Sequence, residues 1–210
     1  GVEIEDIVPS PIVAAEAVLT KTQKIAGCVL VNIGAETVSI IVYENDTPIS
    51  IKVFPIGGTD ITNDIALGLQ IPLEEAEQLK IGGVIGANFS RKKLEEIVVA
   101  RLSDIFELIE NHLKKIGKNG LLPAGIILSG GGSGINTIED LAKASLRLPS
   151  QSANLKTLSN FKNSIKDSTW AVAYGLCIFG LSTKIKNDLG LRHFRDKGIG
   201  IKNWFKQFLP

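Results

Sequence analysis

CVLVNIGAETVSIIVYENDTPISIKVFPIGG, residues 28–58, decides the fold. Its opening CVLVNIG is an apolar run suited to a central strand. A turn at 34–36 leads into TVSIIVYEND, where Val38, Ile40 and Val42 share one parity, and a second turn at 44–47 leads into a third strand over 48–56. Three strands joined by tight turns make a meander, which differs from the strand–helix–strand crossover of a Rossmann unit.

Upstream, residues 2–7 (VEIEDI) suit a short strand. A helix is expected over 11–19, with Pro11 in its first turn and Ala14, Ala15 and Ala17 allowing close packing. Downstream, Gly57-Gly58 closes the meander, and Thr59 or Asp60 can cap a helix running to Leu69. Pro72 starts a helix over 73–79, with Glu74 and Glu75 in its favourable first turn. Residues 81–88 form a loop or weak hairpin. Ser90 then caps a long helix whose apolar stripe runs through Leu94, Ile97, Val98, Leu102, Ile105, Phe106, Ile109, Leu113 and Ile116, ending at Gly117 and Gly120.

AGIILSGGGSGI comes next, a buried strand over 126–128 running straight into a glycine turn, then a helix over 138–144. Residues 149–167 are polar and suit surface or poorly ordered chain. A helix is expected over 168–179, and 183–197 is polar enough to be a tether before the terminal segment. The order is three strands, helices, strand with glycine turn, helix. It specifies a mixed α/β domain with a helical insert between two halves of one sheet.

Composition narrows the function classes. The 210 residues are 44% hydrophobic, enough for a core of their own. A net charge of +1, from 23 basic and 22 acidic side chains, argues against a nucleic-acid partner. Cys28 and Cys177 each sit in apolar sequence and read as buried thiols without metal spacing, while His112 and His193 stand alone. No stretch reaches the roughly 18 apolar residues of a spanning helix, so membrane contact is expected to be peripheral. The lack of Met reads as a piece of a longer chain.

Four places carry candidate chemistry. At the first turn, backbone amides of Gly34, Ala35 and Glu36 and the Thr37 hydroxyl can face a phosphate; an ordinary hairpin is the alternative. Asn32, a neutral amide at the strand end, would be a poor general base. At the second turn, Gly130, Gly131, Gly132 and Ser133 let backbone pass close to a planar or phosphorylated ligand, or form a flexible connection. The Lys-Ser/Thr pair of a P-loop is missing. Glu77 and Lys80, spaced i,i+3, are either a solvated ion pair or an acceptor and a donor for a nucleoside. In the terminal segment 198–210, Ile201, Trp204, Phe205, Phe208 and Leu209 share one helical face, with Lys202 and Lys206 off it. That pattern suits an amphipathic helix on anionic lipid, weak singly and firm in many copies; the alternative is a helix docked on the chain's own core.

Together these pieces resemble the C-terminal half of the FtsA family of actin-like bacterial cell-division proteins. LVNIGAETVSIIVYENDTPISIKVFPIGGTDITNDIA resembles the family's second phosphate hairpin and the strands beyond it, and IPLEEAEQLK its Ala-Glu-x-x-Lys helix. GIILSGGGSGI resembles its adenosine-binding turn, WAVAYGL its closing helix, and GIKNWFKQFLP its membrane-targeting helix. GVEIEDIVPSPIVAAEAVLT matches the family's lead-in.

The resemblance implies an actin-like, ribonuclease H-like α/β fold. Subdomain 2A would comprise 1–57 and 119–183, subdomain 2B would be 58–118, a tether 184–197 and the membrane helix 198–210. It implies ATP with Mg2+ in the cleft at Gly34–Thr37, Glu77, Lys80 and Gly130–Ser133, self-association into a filament, and a peripheral place on the cytoplasmic face of the membrane at the division site. It also implies that 2B binds the C-terminal tail of FtsZ. Asn32 stands where the family usually has Asp, and Ala35 and Glu36 where it has glycines. Weak nucleotide binding and slight turnover are therefore expected, with Glu36 uncomfortably close to the polyphosphate. The related PilM proteins of type IV pilus assembly are the second resemblance, and a sugar or acetate kinase of the same superfamily the third; the terminal helix favours FtsA.

Overall fold

The computed structural model of the chain describes residues 4, 6–83, 90–155 and 167–188. At its centre lies a five-stranded sheet in the order β3-β2-β1-β4-β5, formed by β1 (Cys28–Ile33), β2 (Val38–Glu44), β3 (Thr47–Phe54), β4 (Gly125–Ser129) and β5 (Ser150–Ser152). The β1–β2–β3 meander is antiparallel, whereas β4 runs parallel to β1, and β5 parallel to β4. The β2–β3 connection is a two-residue turn with Asn45 and Asp46 both at positive φ, which matches the right-handed twist of its strands.

Period 2 in β1 sends its side chains to two cores. Val29, Val31 and Ile33 join Ile40, Val42 and Leu128 on one face, and Cys28 and Leu30 join Ile41, Tyr43 and Ile127 on the other. Helices cover both faces, so the molecule has three layers. The first core receives α3 (Gly58–Leu69), α4 (Leu73–Lys80), α5 (Arg91–Lys115) and α6 (Ile138–Leu146). The second is covered by α1 (Ser10–Val18) and α7 (Ala171–Asp188). These two helices approach so closely that a Cβ on Gly175 would lie 1.9 Å from the Val13 carbonyl oxygen.

The long helix α5 is capped as expected, the Ser90 hydroxyl accepting the Lys93 amide, and it buries Val98, Leu102, Ile105, Phe106, Ile109 and Leu113. Arg101 on its flank holds Asp64 of α3 through two hydrogen bonds of 2.6 and 3.0 Å.

Several expectations need correcting. Ile4, Asp6 and Ile7 are irregular and exposed, not a strand, since no strand of the sheet pairs with them. The helix α2 (Lys21–Ala26) has no counterpart among the expected elements; Thr20 and Gln23 make a reciprocal capping box at its start. The cap of α3 is Gly57, with Asp60 reaching back to the Gly57 amide at 2.7 Å, so neither Thr59 nor Asp60 occupies the cap position. Inside the polar stretch 149–167, β5 forms because its backbone completes the edge of β4, although its side chains are polar. Helix α7 continues through Asp188, into the first residues of the expected tether. Cys177 is exposed, on the side of α7 away from α1, while Cys28 is buried. Residues 84–89, 156–166 and the terminal segment 198–210 lie outside the described residues.

Candidate functional site

The two glycine turns leave neighbouring strands. Parallel pairing aligns Asn32 with Ser129, so the turns at the ends of β1 and β4 lie side by side at one end of the sheet. A Cβ on Gly130 (φ +85°) would come within 2.4 Å of the Ile33 carbonyl oxygen, and one on Gly132 within 2.3 Å of the Ile33 side chain. Glycine is thus required where the second turn crosses the first strand. Gly131 and Gly134 differ, since a Cβ on either would meet nothing within 4 Å.

The first turn is fastened to the start of α3. Gly58 and Thr59 donate their amides to the carbonyls of Gly34 and Ala35 at 2.8 and 2.9 Å. Gly57 has no room for a side chain there, a Cβ falling 2.3 Å from the Ala35 oxygen. The leading amides of α3 are therefore spent inside the protein. Any anion contact at this turn falls to the amides of residues 35–37.

Helix α4 brings the third element. Lys80 Nζ lies 2.6 Å from Glu77 Oε2 and also donates to the Gly58 carbonyl (3.0 Å) and to Thr62 Oγ1 (2.8 Å). Thr62 Oγ1 lies 2.5 Å from the same Glu77 oxygen. Partial burial raises the Glu77 pKa, but hydrogen bonds from Lys80 and Thr62 outweigh it and hold the carboxyl below its ordinary 4.5. The pair is therefore an internal clamp between α3 and α4 as well as an ion pair, with the Lys80 side chain only 13% exposed.

These elements enclose a cleft of about 520 Å³, lined by Asn32, Gly34, Ala35, Gly58, Glu77, Lys80, Ile81, Gly130, Gly131, Gly132, Gly134, Ile135, Thr169 and Val172. A second cavity of about 510 Å³ adjoins it, sharing Lys80, Ile81, Gly134 and Ile135. Of the residues singled out in the sequence, Gly34, Ala35, Glu77, Lys80, Gly130, Gly131 and Gly132 come together in the cleft wall. Glu36, Thr37 and Ser133 are outside that lining. Glu36 accepts from the Thr59 hydroxyl at the start of α3 (3.3 Å). Thr37 accepts the Gly34 amide through its carbonyl (2.9 Å), closing the turn. Ser133 donates to the Gly130 carbonyl (2.7 Å) and pairs with Ser168 (3.1 Å), bracing the turn against the start of α7.

Sequence reasoning missed Thr62 and Thr169. Thr62 carried a signal in hindsight, a hydroxyl beside Ile61 and Ile65 on the buried face of an amphipathic helix. Thr169 carried none, because its place depends on how α7 docks.

A meander continued by parallel strands, glycine turns side by side at the strand ends, and a helical insert between β3 and β4 define an actin-like domain. MreB5 of Spiroplasma citri, solved with ADP bound, superposes with a TM-score of 0.71 at 19% identity, over 89% of this chain and 63% of that one. A PilM–PilN type IV pilus biogenesis complex gives 0.63 at 22% identity, over 81% and 49%. The chain belongs to the FtsA family, whose model, "Cell division protein FtsA", matches residues 29–175. It is 29% identical over 202 residues to the cell division protein FtsA of Pseudomonas aeruginosa, covering 86% of this chain and 48% of that protein. With its Bacillus subtilis counterpart it shares 31% over 200 residues, covering 85% and 44%. The chain thus spans about half the length of the curated relatives it matches.

Proposed function

We propose that this chain is the nucleotide-holding half of an actin-like filament subunit that ties FtsZ to the inner face of the cytoplasmic membrane at the division site. The observation that carries the reading is the meeting of both glycine turns and the Glu77 helix around one cleft, in a chain of the FtsA family. A cleft of about 520 Å³ is within the size range of small-molecule sites.

The wall fits a nucleotide. Gly131 and Gly134 offer bare backbone with open space above it, which lets a planar base or ribose approach closely. Glu77 supplies a charged acceptor for sugar hydroxyls, and amides of the first turn supply donors for phosphate. Glu77 is the only carboxylate among the lining residues, so Mg2+ would be held mainly by phosphate and water oxygens, as it commonly is. Bound ATP and Mg2+ would supply the phosphoryl group and its charge neutralisation. The chain's own residues bind and orient. Asn32 at the end of β1 is neutral and cannot take a proton from an attacking water, so turnover is expected to be slight.

The terminal segment 198–210 completes the proposal as a reversible lipid anchor, with Ile201, Trp204, Phe205, Phe208 and Leu209 entering the bilayer surface and Lys202 and Lys206 meeting anionic headgroups. Among the described residues no helix is long and apolar enough to cross a membrane. The helices α3–α5 are the proposed FtsZ-tail surface. Vesicle co-sedimentation tests the proposal. The chain should carry FtsZ down with anionic vesicles, and a version ending at Lys197 should leave it in solution. Equal pelleting by both would sink the anchor, and failure of the intact chain to pull down FtsZ would sink the tether.

A further inference from the structure

We propose that Asn32 is a direct phosphate ligand and that it makes nucleotide binding to this chain independent of a divalent cation. The inference rests on the nucleotide reading of the cleft and says what its phosphate end requires.

Four polar side chains line the cleft: Asn32, Glu77, Lys80 and Thr169. Three of them are committed inside the protein. Lys80 lies 2.6 Å from Glu77 Oε2 and donates to Thr62 Oγ1 and the Gly58 carbonyl, so each of its three hydrogens already has an acceptor. That contact also balances the charge of Glu77. Thr169 gives its hydroxyl hydrogen to Asp167. The half-buried Asn32 side chain alone has no hydrogen-bond partner among the described residues.

Its place in the fold gives this free amide a direction. Asn32 is the last residue but one of β1, two residues before the first turn, and pairs with Ser129 at the end of β4. It stands where the two glycine turns part. A Cβ on Gly130 would fall 2.8 Å from Asn32 Oδ1, so the oxygen packs over the second turn. The NH2 branch lies on the other side of the planar amide and keeps both hydrogens, in a side chain that lines the cleft.

The electrostatics follow. Lys80 has no hydrogen left for a phosphate, and the leading amides of α3 are spent on the first turn. The donors that remain are neutral: Asn32 and the amides of residues 35–37. A carboxylate at position 32 would repel a phosphate and need a cation between them, whereas an amide of the same shape donates to phosphate oxygen directly. Mg2+ carried on phosphate and water oxygens would then add little to the affinity.

The test titrates the whole chain with ATP, once in excess Mg2+ and once in EDTA, with adenosine as a control that lacks phosphate. Heat is the readout. The two wild-type affinities for ATP should agree within about threefold. Asn32→Asp keeps the shape and should create a metal requirement. Its ATP affinity should fall roughly tenfold or more in EDTA, the scale of a hydrogen bond to a charged group, and return to within about threefold of wild type in Mg2+. Asn32→Ala should weaken ATP by roughly tenfold in both conditions, because the donor is gone. Adenosine should bind all three proteins alike, which a general disturbance of the fold would not allow. If Asn32→Asp fails to fold, Asn32→Ala with its adenosine control carries the test. A wild type that loses roughly tenfold in EDTA, an Asn32→Asp indifferent to EDTA, an Asn32→Ala as tight as wild type, or equal losses of ATP and adenosine overturns the inference and leaves the cleft a nucleotide site. A wild type that binds neither ATP nor adenosine overturns both.

Discussion

Alanine at two adjacent glycines separates the folding role of the second turn from its proposed ligand role. At Gly130 the added Cβ would sit 2.4 Å from the Ile33 carbonyl oxygen and 2.8 Å from Asn32 Oδ1, on backbone at φ +85°. Left-handed backbone costs a residue with a Cβ about 1–2 kcal/mol, and overpacking a tight site about 1–3 kcal/mol. Stiffening of the unfolded chain returns about 0.4–1 kcal/mol. Gly130→Ala should therefore lose ~2–4 kcal/mol, a fall in Tm on the order of 5–15 °C for a chain of this size. Gly131→Ala meets no atom within 4 Å and has no positive φ, so its stability should stay within about 0.5 kcal/mol of wild type. Its methyl stands at the cleft wall, however, and should weaken ATP by roughly tenfold, the scale of one misplaced methyl group in a fitted pocket. Urea unfolding followed by circular dichroism and an ATP titration measure the two effects. Equal destabilisation by both variants, or full stability of Gly130→Ala, would refute the reasoning about how the turns cross.

Three further outcomes are expected. Gly175→Ala would drive a methyl into the Val13 carbonyl at 1.9 Å and part α1 from α7, costing about 3 kcal/mol or more; a variant as stable as wild type would show that the two helices do not pack this closely. Burial first, then the charges of Lys52 and Lys115, hold His112 below its ordinary 6.5. As pH falls the unfolded chain takes that proton first, so the His112 contribution is complete above about pH 6.5 and is lost below it, toward the folded pKa. His112→Gln should flatten the stability-versus-pH curve there, and an unchanged slope would place the dependence elsewhere. Finally, a thiol reagent at pH 8 should label Cys177 quickly and leave Cys28 untouched, because burial, partly offset by Lys24, pushes the Cys28 thiol up to about 12. Rapid labelling of both would mean that the strand core opens.

The meander was legible in the sequence because its signals are local: apolar strands of fixed parity, turns at 34–36 and 44–47, and glycine where β4 ends. The stripe of α5 and its Ser90 cap were legible for the same reason. What escaped depends on contacts distant in sequence. The strand β5 has polar side chains, and only the open edge of β4 makes it a strand. The exposure of Cys177 depends on which side of α7 meets α1, and an apolar helix gives no hint of that. In the cleft, residue types pointed to Gly34, Glu77 and Gly130, but the involvement of Thr62 emerges only when α3 and α4 lie side by side. The hydrogen bond from Thr59 to Glu36 likewise depends on α3 docking against the first turn, which spacing along the chain does not reveal.

The central claim is that one cleft, built by both glycine turns and α4, binds nucleotide. Amide chemical-shift mapping of the ¹⁵N-labelled chain during titration with ATP and Mg2+ tests it most directly. Saturable shifts are expected at Gly34, Ala35, Gly58, Gly131, Gly134 and Thr169, which come from four separate stretches of sequence and meet only in this cleft. No shifts at millimolar ATP, or shifts confined to residues away from that wall, would contradict it.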